Sequence, residues 1–356
     1  MWSSLLTSAV AEIQLLGAWK ALKHMLGSLR ALLHPERARR AEAALNRVDA
    51  HRWLPVHEQL YYVRHRFYLS KYLSVRQRID SCTHHYTHEA EHFSSRYRKQ
   101  VYGGQGLTLW QESVDGHSFR IRLAASSEMR WEGDLSLRLF VDEVAIHVLS
   151  FSYVDAGLFG QPAGTILFIT RNQSLHQGPQ QSLFRTAFKQ TVPPYFCLSA
   201  TIGIALAQGM QRVAAIRHEA QIASSEEVNE GLRNTYDGFW RAFNGSAVDA
   251  KAFALPVPLA VTELSEVNSK HRKRARDRRG AWSAVTNSAQ AAIAAELQSG
   301  ELAPVRETER VRERATESQH VQSLSPEVRG GHPRVVGVLL VADVVAENLS
   351  TTWLPI

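Results

Sequence analysis

His88-Glu89-Ala90-Glu91-His92 reads H-E-x-x-H. On a helix that spacing sets two imidazoles one turn apart, with a carboxylate placed to activate a zinc-bound water. His84 and His85 crowd the same stretch, and Phe93-Ser94-Ser95-Arg96-Tyr97-Arg98 brings neither the glycine nor the third histidine of the extended motif. The run is expected first as a polar helix face holding no metal. A metal-binding surface helix, or a zinc hydrolase using His88, Glu89 and His92 with a remote third ligand, stands as the alternative. Cys197 follows Tyr195-Phe196 in an apolar stretch and is expected as a small core residue rather than a nucleophile. With Cys82 it makes two cysteines, too few for a disulfide framework and in no zinc spacing, so both thiols are expected free in a reducing compartment. No G-x-S-x-G, phosphate-loop or dinucleotide fingerprint occurs, which leaves serine hydrolase, nucleotidase and dehydrogenase chemistry without local support.

Charge supplies another candidate. The chain carries 41 Lys and Arg against 34 Asp and Glu. Much of that excess sits in Lys270, Arg272, Lys273, Arg274, Arg276, Arg278 and Arg279, opposed locally by Asp277 alone. A nucleic-acid surface spreads cations over a face and interleaves stacking aromatics, whereas only Trp282 stands close to this run. Nucleic acid is therefore not the expected partner. Lys270, Arg272, Lys273, Arg274 and Arg276 read as an anion-binding edge, for a solvated helix start, an anionic membrane surface or a phosphate-bearing ligand.

These residues need elements to position them, and 356 residues at 44% hydrophobic can bury a sizeable core. From Trp2 to Leu33 apolar residues recur at helical spacing, with Leu22, Leu26, Leu29 and Leu33 in a stripe. This is expected as a helix packed on its own core, with a membrane-surface helix as the alternative. The N-terminus lacks a basic leader and a cleavage signal, and Val335–Val345 is too short to span a bilayer. The expected location is cytoplasmic, with association at the periphery of the inner membrane as a further expectation. Residues 1–102 read as a helical N-terminal region broken at His34-Pro35, and 103–300 as an α/β core. Residues 301–356 read as a poorly ordered C-terminal extension, rich in mixed charge.

Within the core the apolar period shortens to two. Ser118–Leu123, Leu135–Val141, Val144–Val154 and Thr165–Thr170 read as strands of an antiparallel meander. A loop holding Gly178-Pro179 follows, then a helix from about Pro194 to Gly209, a strand over Arg212–Ile216, and a helix over Glu226–Phe243. A strand over Phe253–Val261 and a basic helix over Leu264–Leu297 complete the core. The fold class is α+β: a helical N-terminal region, then a mixed, largely antiparallel sheet flanked by helices. Tyr236, Phe239 and Trp240 at i, i+3 and i+4 form a core stripe. His218 and Glu219 directly follow the Arg212–Ile216 strand, at the strand end where open sheets place ligands; a solvated loop is the plainer reading.

Several features in order resemble the VirK/YbjX family of bacterial proteins over roughly residues 30 to 300. They are His34-Pro35-Glu36-Arg37, His85-Tyr86, Leu149-Ser150-Phe151-Ser152, Gln177-Gly178, Tyr236-Asp237-Gly238-Phe239-Trp240 with Gly245, Leu255-Pro256, and the basic run Arg272 to Arg279. The chain departs from that pattern at Lys189-Gln190-Thr191-Val192-Pro193-Pro194 and at Ser246. The resemblance implies a domain of unknown biochemical activity with a role in cell-envelope and outer-membrane maintenance and in virulence.

The strand, Gln177-Gly178 loop, helix, strand order is also similar to the acyl-CoA-binding core of GNAT-like acyltransferases, although Gln177-Gly178-Pro179-Gln180 lacks their full glycine-rich signature. That likeness implies an acyl-CoA or similar thioester held near Gln177, Gly178, Gln180 and Gln181, by N–H groups at a helix start. It also implies proton handling by Tyr236, Asp237 and His218. An enzyme of this kind and an anionic-lipid-binding adaptor are the two readings set beside the family role.

Overall fold

Past Gly106 the apolar period changes from helical to alternating, and the chain changes with it. The computed structural model describes residues 26–27, 29–49, 60–126, 129–175, 178–189, 191–224, 230–260 and 263–298. Before the change lie α1 (Pro35–Arg47), α2 (Tyr61–Arg64), α3 (Val75–His92) and α4 (Ser95–Tyr102). Pro35 suits the first position of α1, where the N–H it lacks would have had no partner inside the helix. Ser74 caps α3 reciprocally: its hydroxyl accepts from the Gln77 N–H at 3.3 Å, and the Gln77 side chain accepts from the Ser74 N–H at 3.0 Å. Such a cap is worth about 1 kcal/mol. Of the N-terminal leucine stripe, Leu26, Leu29 and Leu33 are exposed rather than packed on a core, and Leu29–Leu33 forms a 3-10 turn. Leu22 and the remainder of that stretch lie outside the described residues, as does the extension 301–356.

The strands build one open eight-stranded sheet in the order β1-β2-β3-β4-β5-β6-β8-β7. β1 (Leu107–Val114), β2 (His117–Ala125), β3 (Leu135–Val141), β4 (Val144–Asp155) and β5 (Thr165–Ser174) form an antiparallel meander. β1 precedes the expected strands, and a register shift between Thr108 and Trp110 interrupts the alternation that would have marked it. β6 (Arg212–Ile216) lies parallel to β5 after a crossover through α5 (Pro179–Ala187) and α6 (Pro193–Ala207). β8 (Ala252–Pro256) runs antiparallel to β6 and carries the two-residue β7 (Ser246–Ala247) on its far side. The fold is thus α+β with a mostly antiparallel sheet and flanking helices. Among the described residues no helix is long and apolar enough to cross a membrane.

Four boundaries differ from the expectation, each for a local reason. The loop expected after Thr170 is instead β5 continued to Ser174, followed by α5, which starts at Pro179 and buries Phe184. The helix expected over Glu226–Phe243 is α7 (Glu230–Arg233), one π-helical turn over Asn234–Gly238, then α8 (Phe239–Ala242). The strand expected to reach Val261 stops at Pro256, since Pro256 and Pro258 have no N–H to give a ladder. The basic helix α9 spans Ser269–Ala294, and its start is set by Asn268, whose side chain accepts from the Lys270 N–H at 3.2 Å.

α6 is apolar on all sides and sits between the sheet and α9. The two helices run parallel. Tyr195 stacks on Trp282 with ring centroids 5.0 Å apart, and the Thr286 hydroxyl donates to the Ser199 carbonyl at 3.1 Å. A Cβ on Gly203 would fall 2.4 Å from the Thr286 carbonyl oxygen, so the backbones touch there.

Candidate functional site

β5 and β6 are paired only at Phe168–Ala214 and Ile169–Ala215. Beyond that point β5 continues beside β4 to Ser174, while β6 ends at Ile216 beside β8. A notch therefore opens in the sheet at the carboxyl ends of its one parallel pair, the position where open sheets carry ligands. The Asn172 N–H, which a neighbouring strand would ordinarily take, donates instead to the Tyr236 hydroxyl at 3.3 Å. Trp240 closes the end of β6 by donating its indole N–H to the Ile216 carbonyl at 2.9 Å.

The π turn places Tyr236 there. Such single turns insert a residue into a helix and occur often at functional sites. Here the turn directs Tyr236 and its neighbour Asp237 inward together, and both are buried along with Phe239 and Trp240. Asp237 accepts from the His218 backbone N–H at 2.8 Å and lies 3.1 Å from His218 Nδ1. Arg217 Nε and an Arg241 guanidinium nitrogen stand 4.0 and 3.8 Å from its other oxygen. The carboxylate thus holds the His218 backbone, while the buried Nδ1 makes no hydrogen bond among the described residues and Nε2 lies 3.9 Å from Glu219. At 3.1 Å the ring nitrogen is near enough to the carboxylate to gain that bond by a small rotation, and an imidazole so held can move a proton at Nε2.

The other wall of the notch comes from the β2–β3 connection. Gln221 donates to Glu132 Oε1 at 2.9 Å, and Arg171 Nε lies 3.3 Å from Glu132 Oε2. Burial raises the Glu132 carboxyl, against the pull of Arg171. Burial, reinforced by Glu132, likewise holds the Tyr236 phenol above its ordinary value, so it stays protonated at neutral pH. Gly133 makes this approach feasible: at φ +137°, a Cβ would sit 2.9 Å from both the Phe151 nitrogen and Ser150 Cβ.

Of the residues expected to act, Tyr236, Asp237 and His218 come together at this notch. Gly178, Gln180 and Gln181 open α5 just beyond the carboxyl end of β5, while Gln177 lies outside the described residues. The donors at that helix start are few, because Pro179 has no N–H and the Gln181 N–H already serves the Gly178 carbonyl. Lys270, Arg272, Lys273, Arg274 and Arg276 are exposed on the first turns of α9. Glu132, Arg171, Asn172, Gln221 and Arg217 were not expected at a site. Nothing local in the sequence points a β2–β3 connection at β6.

The H-E-x-x-H stretch differs most from expectation: His88 and Glu89 are turned inward, while Glu91 and His92 stay on an exposed polar face. His88 Nε2 pairs with Gln208 at 2.8 Å, and its ring stacks on His92 at 4.1 Å. Glu89 points away from both, accepting from the Tyr97 and Tyr102 hydroxyls at 3.0 and 3.1 Å. His92 Nδ1 lies 3.0 Å from the His88 carbonyl oxygen. Among the described residues no group of three or more His, Cys, Asp or Glu is arranged to hold a metal ion. Cys82 and Cys197 are buried and free, with burial raising both thiols. A cavity of about 670 Å³, lined by Arg76, Asp80, His84 and Asp155 among others, lies where β4 ends and β5 begins. That is the opposite end of β5 from Asn172, roughly 20 Å away at strand rise.

Comparison with known proteins accords with the residue pattern. The model of a family described as "Protein of unknown function (DUF535)" matches residues 18–291. The chain is also similar to "Uncharacterized protein YbjX" of Escherichia coli (strain K12), 25% identical over 221 residues. That alignment covers 60% of this chain and 66% of the relative's length. No solved structure matches the chain significantly. With three quarters of its length under the family model, the chain belongs to the DUF535 family of VirK/YbjX-type proteins of unknown function.

Proposed function

We propose that the protein is an acyl-group transferase working at the bacterial envelope, with the β5–β6 notch as its site. The observation that carries this reading is the Tyr236 hydroxyl seated on the Asn172 N–H, where the parallel strands part. A meander followed by one parallel pair, with the last strand inserted beside β6, is the order expected of the GNAT-like acyl-CoA-binding core.

The residues fit an extended thioester arm. The β5 edge at Asn172 offers a backbone donor that a ligand amide can take as an added strand would, displacing the phenol by a short movement. When bound, an acyl thioester such as acyl-CoA supplies the activated acyl group. His218 Nε2, with Nδ1 3.1 Å from the Asp237 carboxylate, takes the proton from the incoming nucleophile, and the Tyr236 hydroxyl gives a proton to the departing sulfur. Glu132 and Gln221 fix the far wall through their mutual bond. Gly178, Gln180 and Gln181 stand where the anionic end of the donor would leave the sheet. The acceptor belongs to the cell envelope, reached from the inner-membrane periphery, as the family resemblance implies; roles in outer-membrane maintenance and virulence are the extension of that reading.

The test is a thermal-shift titration with acetyl-CoA and a longer-chain acyl-CoA, since a ligand of the folded state raises the midpoint by mass action. A shift that Gly178→Asp abolishes supports the reading. No shift with either thioester removes it.

A further inference from the structure

α9 begins where it should be least stable. Its first three turns carry Lys270, Arg272, Lys273, Arg274, Arg276, Arg278 and Arg279, at the end where the helix macrodipole is already positive. Lys270 and Arg274, Arg272 and Arg276, and Arg274 and Arg278 repel at i, i+4. Among the described residues Lys270, Lys273, Arg274, Arg276 and Arg279 form no ion pair, and Arg272 spends its guanidinium on the Val267 and Ser265 carbonyls. Among the described residues no acidic side chain neutralises these cations, and a partner can supply the counter-charge.

The location says which partner. α6 and α9 are in register from Tyr195–Trp282 onward, so the part of α9 before Trp282 runs past the start of α6 by roughly 20 Å. No residue between Ser269 and Gly280 is buried. Helical phase puts Lys270, Arg272, Lys273, Arg274 and Arg276 on one broad outward arc, with Trp282 turned towards Tyr195 and Phe243. α6 joins the carboxyl end of β5 to the amino end of β6, so its start, and the cationic overhang with it, stands at the carboxyl edge of the parallel pair. Phe239 and Phe243 of the helix that follows the π turn pack on Tyr195 at that base.

We infer that the α9 overhang docks the protein on an anionic phospholipid surface, with the carboxyl edge of β5 and β6 facing the bilayer. A convex rod of five outward cations suits a flat field of headgroups better than a single bound phosphate. Base stacking has no platform, since no aromatic residue lies on the outward arc. The exposed large hydrophobic residues of the described surface are Leu26, Leu29, Leu33 and Tyr72. The docking does not rest on the acyl-transfer reading and survives its failure.

The test is cosedimentation of the full chain with sucrose-loaded vesicles of phosphatidylcholine alone or with phosphatidylglycerol. Binding is expected only with the anionic lipid, and weakened by salt. The triple variant Lys270→Glu, Arg274→Glu, Arg276→Glu should bind about a hundredfold more weakly, each basic residue at such a surface being worth roughly fivefold. Acidic residues favour a helix start, so this variant keeps its fold. Arg39→Glu with Arg40→Glu, on the exposed face of α1, should bind as the parent does, and so should Tyr236→Phe. Orientation is read from a fluorophore on Ser113→Cys, at the carboxyl edge, against one on Ala163→Cys at the opposite edge: brominated lipid should quench the first and spare the second. Equal binding to neutral vesicles, full binding by the triple variant, reversed quenching, or displacement by a DNA duplex that the overhang binds more tightly would each overturn the inference.

Discussion

Glu89 is the sharpest handle on the stability of this fold. It is fully buried between α3 and α4, and burial pushes its carboxyl from 4.5 up to about 8, despite the phenols of Tyr97 and Tyr102. Its folded-state value lies above its unfolded one, so folding favours the protonated form. The stability it contributes is complete below about pH 4.5 and is lost as pH rises towards 8. At 1.36 kcal/mol per pH unit the full interval amounts to about 5 kcal/mol, of which about 2 kcal/mol falls between pH 6.5 and 8. His85, His88 and His147 act in the opposite direction. Burial holds them at about 4, 3 and 4, so their stability is present above 6.5 and is lost as pH falls through the folded-state values. Together these groups place the stability maximum near pH 6.5, with a descending limb on each side. Urea unfolding followed by tryptophan fluorescence from pH 5 to 9 measures both limbs. In Glu89→Gln, which keeps a carbonyl acceptor for one phenol and has no proton to lose, the alkaline limb should shrink by more than half, with the remainder owed to Glu132. An alkaline limb equally steep in parent and variant, or a parent profile flat from 6.5 to 8, would refute the reasoning.

Two other substitutions probe how the site is held. Gly203→Val forces apart the touching backbones of α6 and α9, and should cost about 3 kcal/mol, read as a lowered thermal midpoint by circular dichroism. Asp134→Ala removes the carboxylate that accepts from Tyr61, Tyr68, Tyr86 and Ser152, leaving four buried hydroxyls to find other acceptors. It should cost about 3 to 5 kcal/mol in urea unfolding, whereas Asp134→Asn should recover part of that loss.

How much of this was legible follows the range of the signals. The strands over Leu135–Val141 and Arg212–Ile216 are written in local alternation and β-branched residues, and the structure has them at those bounds. Tyr236, Phe239 and Trp240 read as buried because their spacing is helical, and they are buried. The π turn was invisible, since one inserted residue leaves the apolar spacing nearly unchanged. His88 and Glu89 misled because polar residues read as exposed, and the partners that bury them, Gln208, Tyr97 and Tyr102, are set by tertiary packing. Glu132 was missed for a related reason: its role depends on Gly133 allowing the chain to lie against the sheet, a contact that no periodicity records.

The most direct measurement of the site is thiol release from an acyl-CoA, with equilibrium binding run beside it, for the parent and for Tyr236→Phe. The phenol accepts the Asn172 N–H across a long 3.3 Å and is also bonded by the Gln221 side chain, so its removal should cost about 1 to 2 kcal/mol and leave acyl-CoA binding intact. Faster hydrogen exchange at the Asn172 amide would report that the notch has opened. Thiol release by the parent that falls at least tenfold in Tyr236→Phe, with binding unchanged, is the expected result. A parent that neither binds nor turns over any acyl-CoA, or a variant as active as the parent, would contradict the assignment of the β5–β6 notch as an acyl-transfer site.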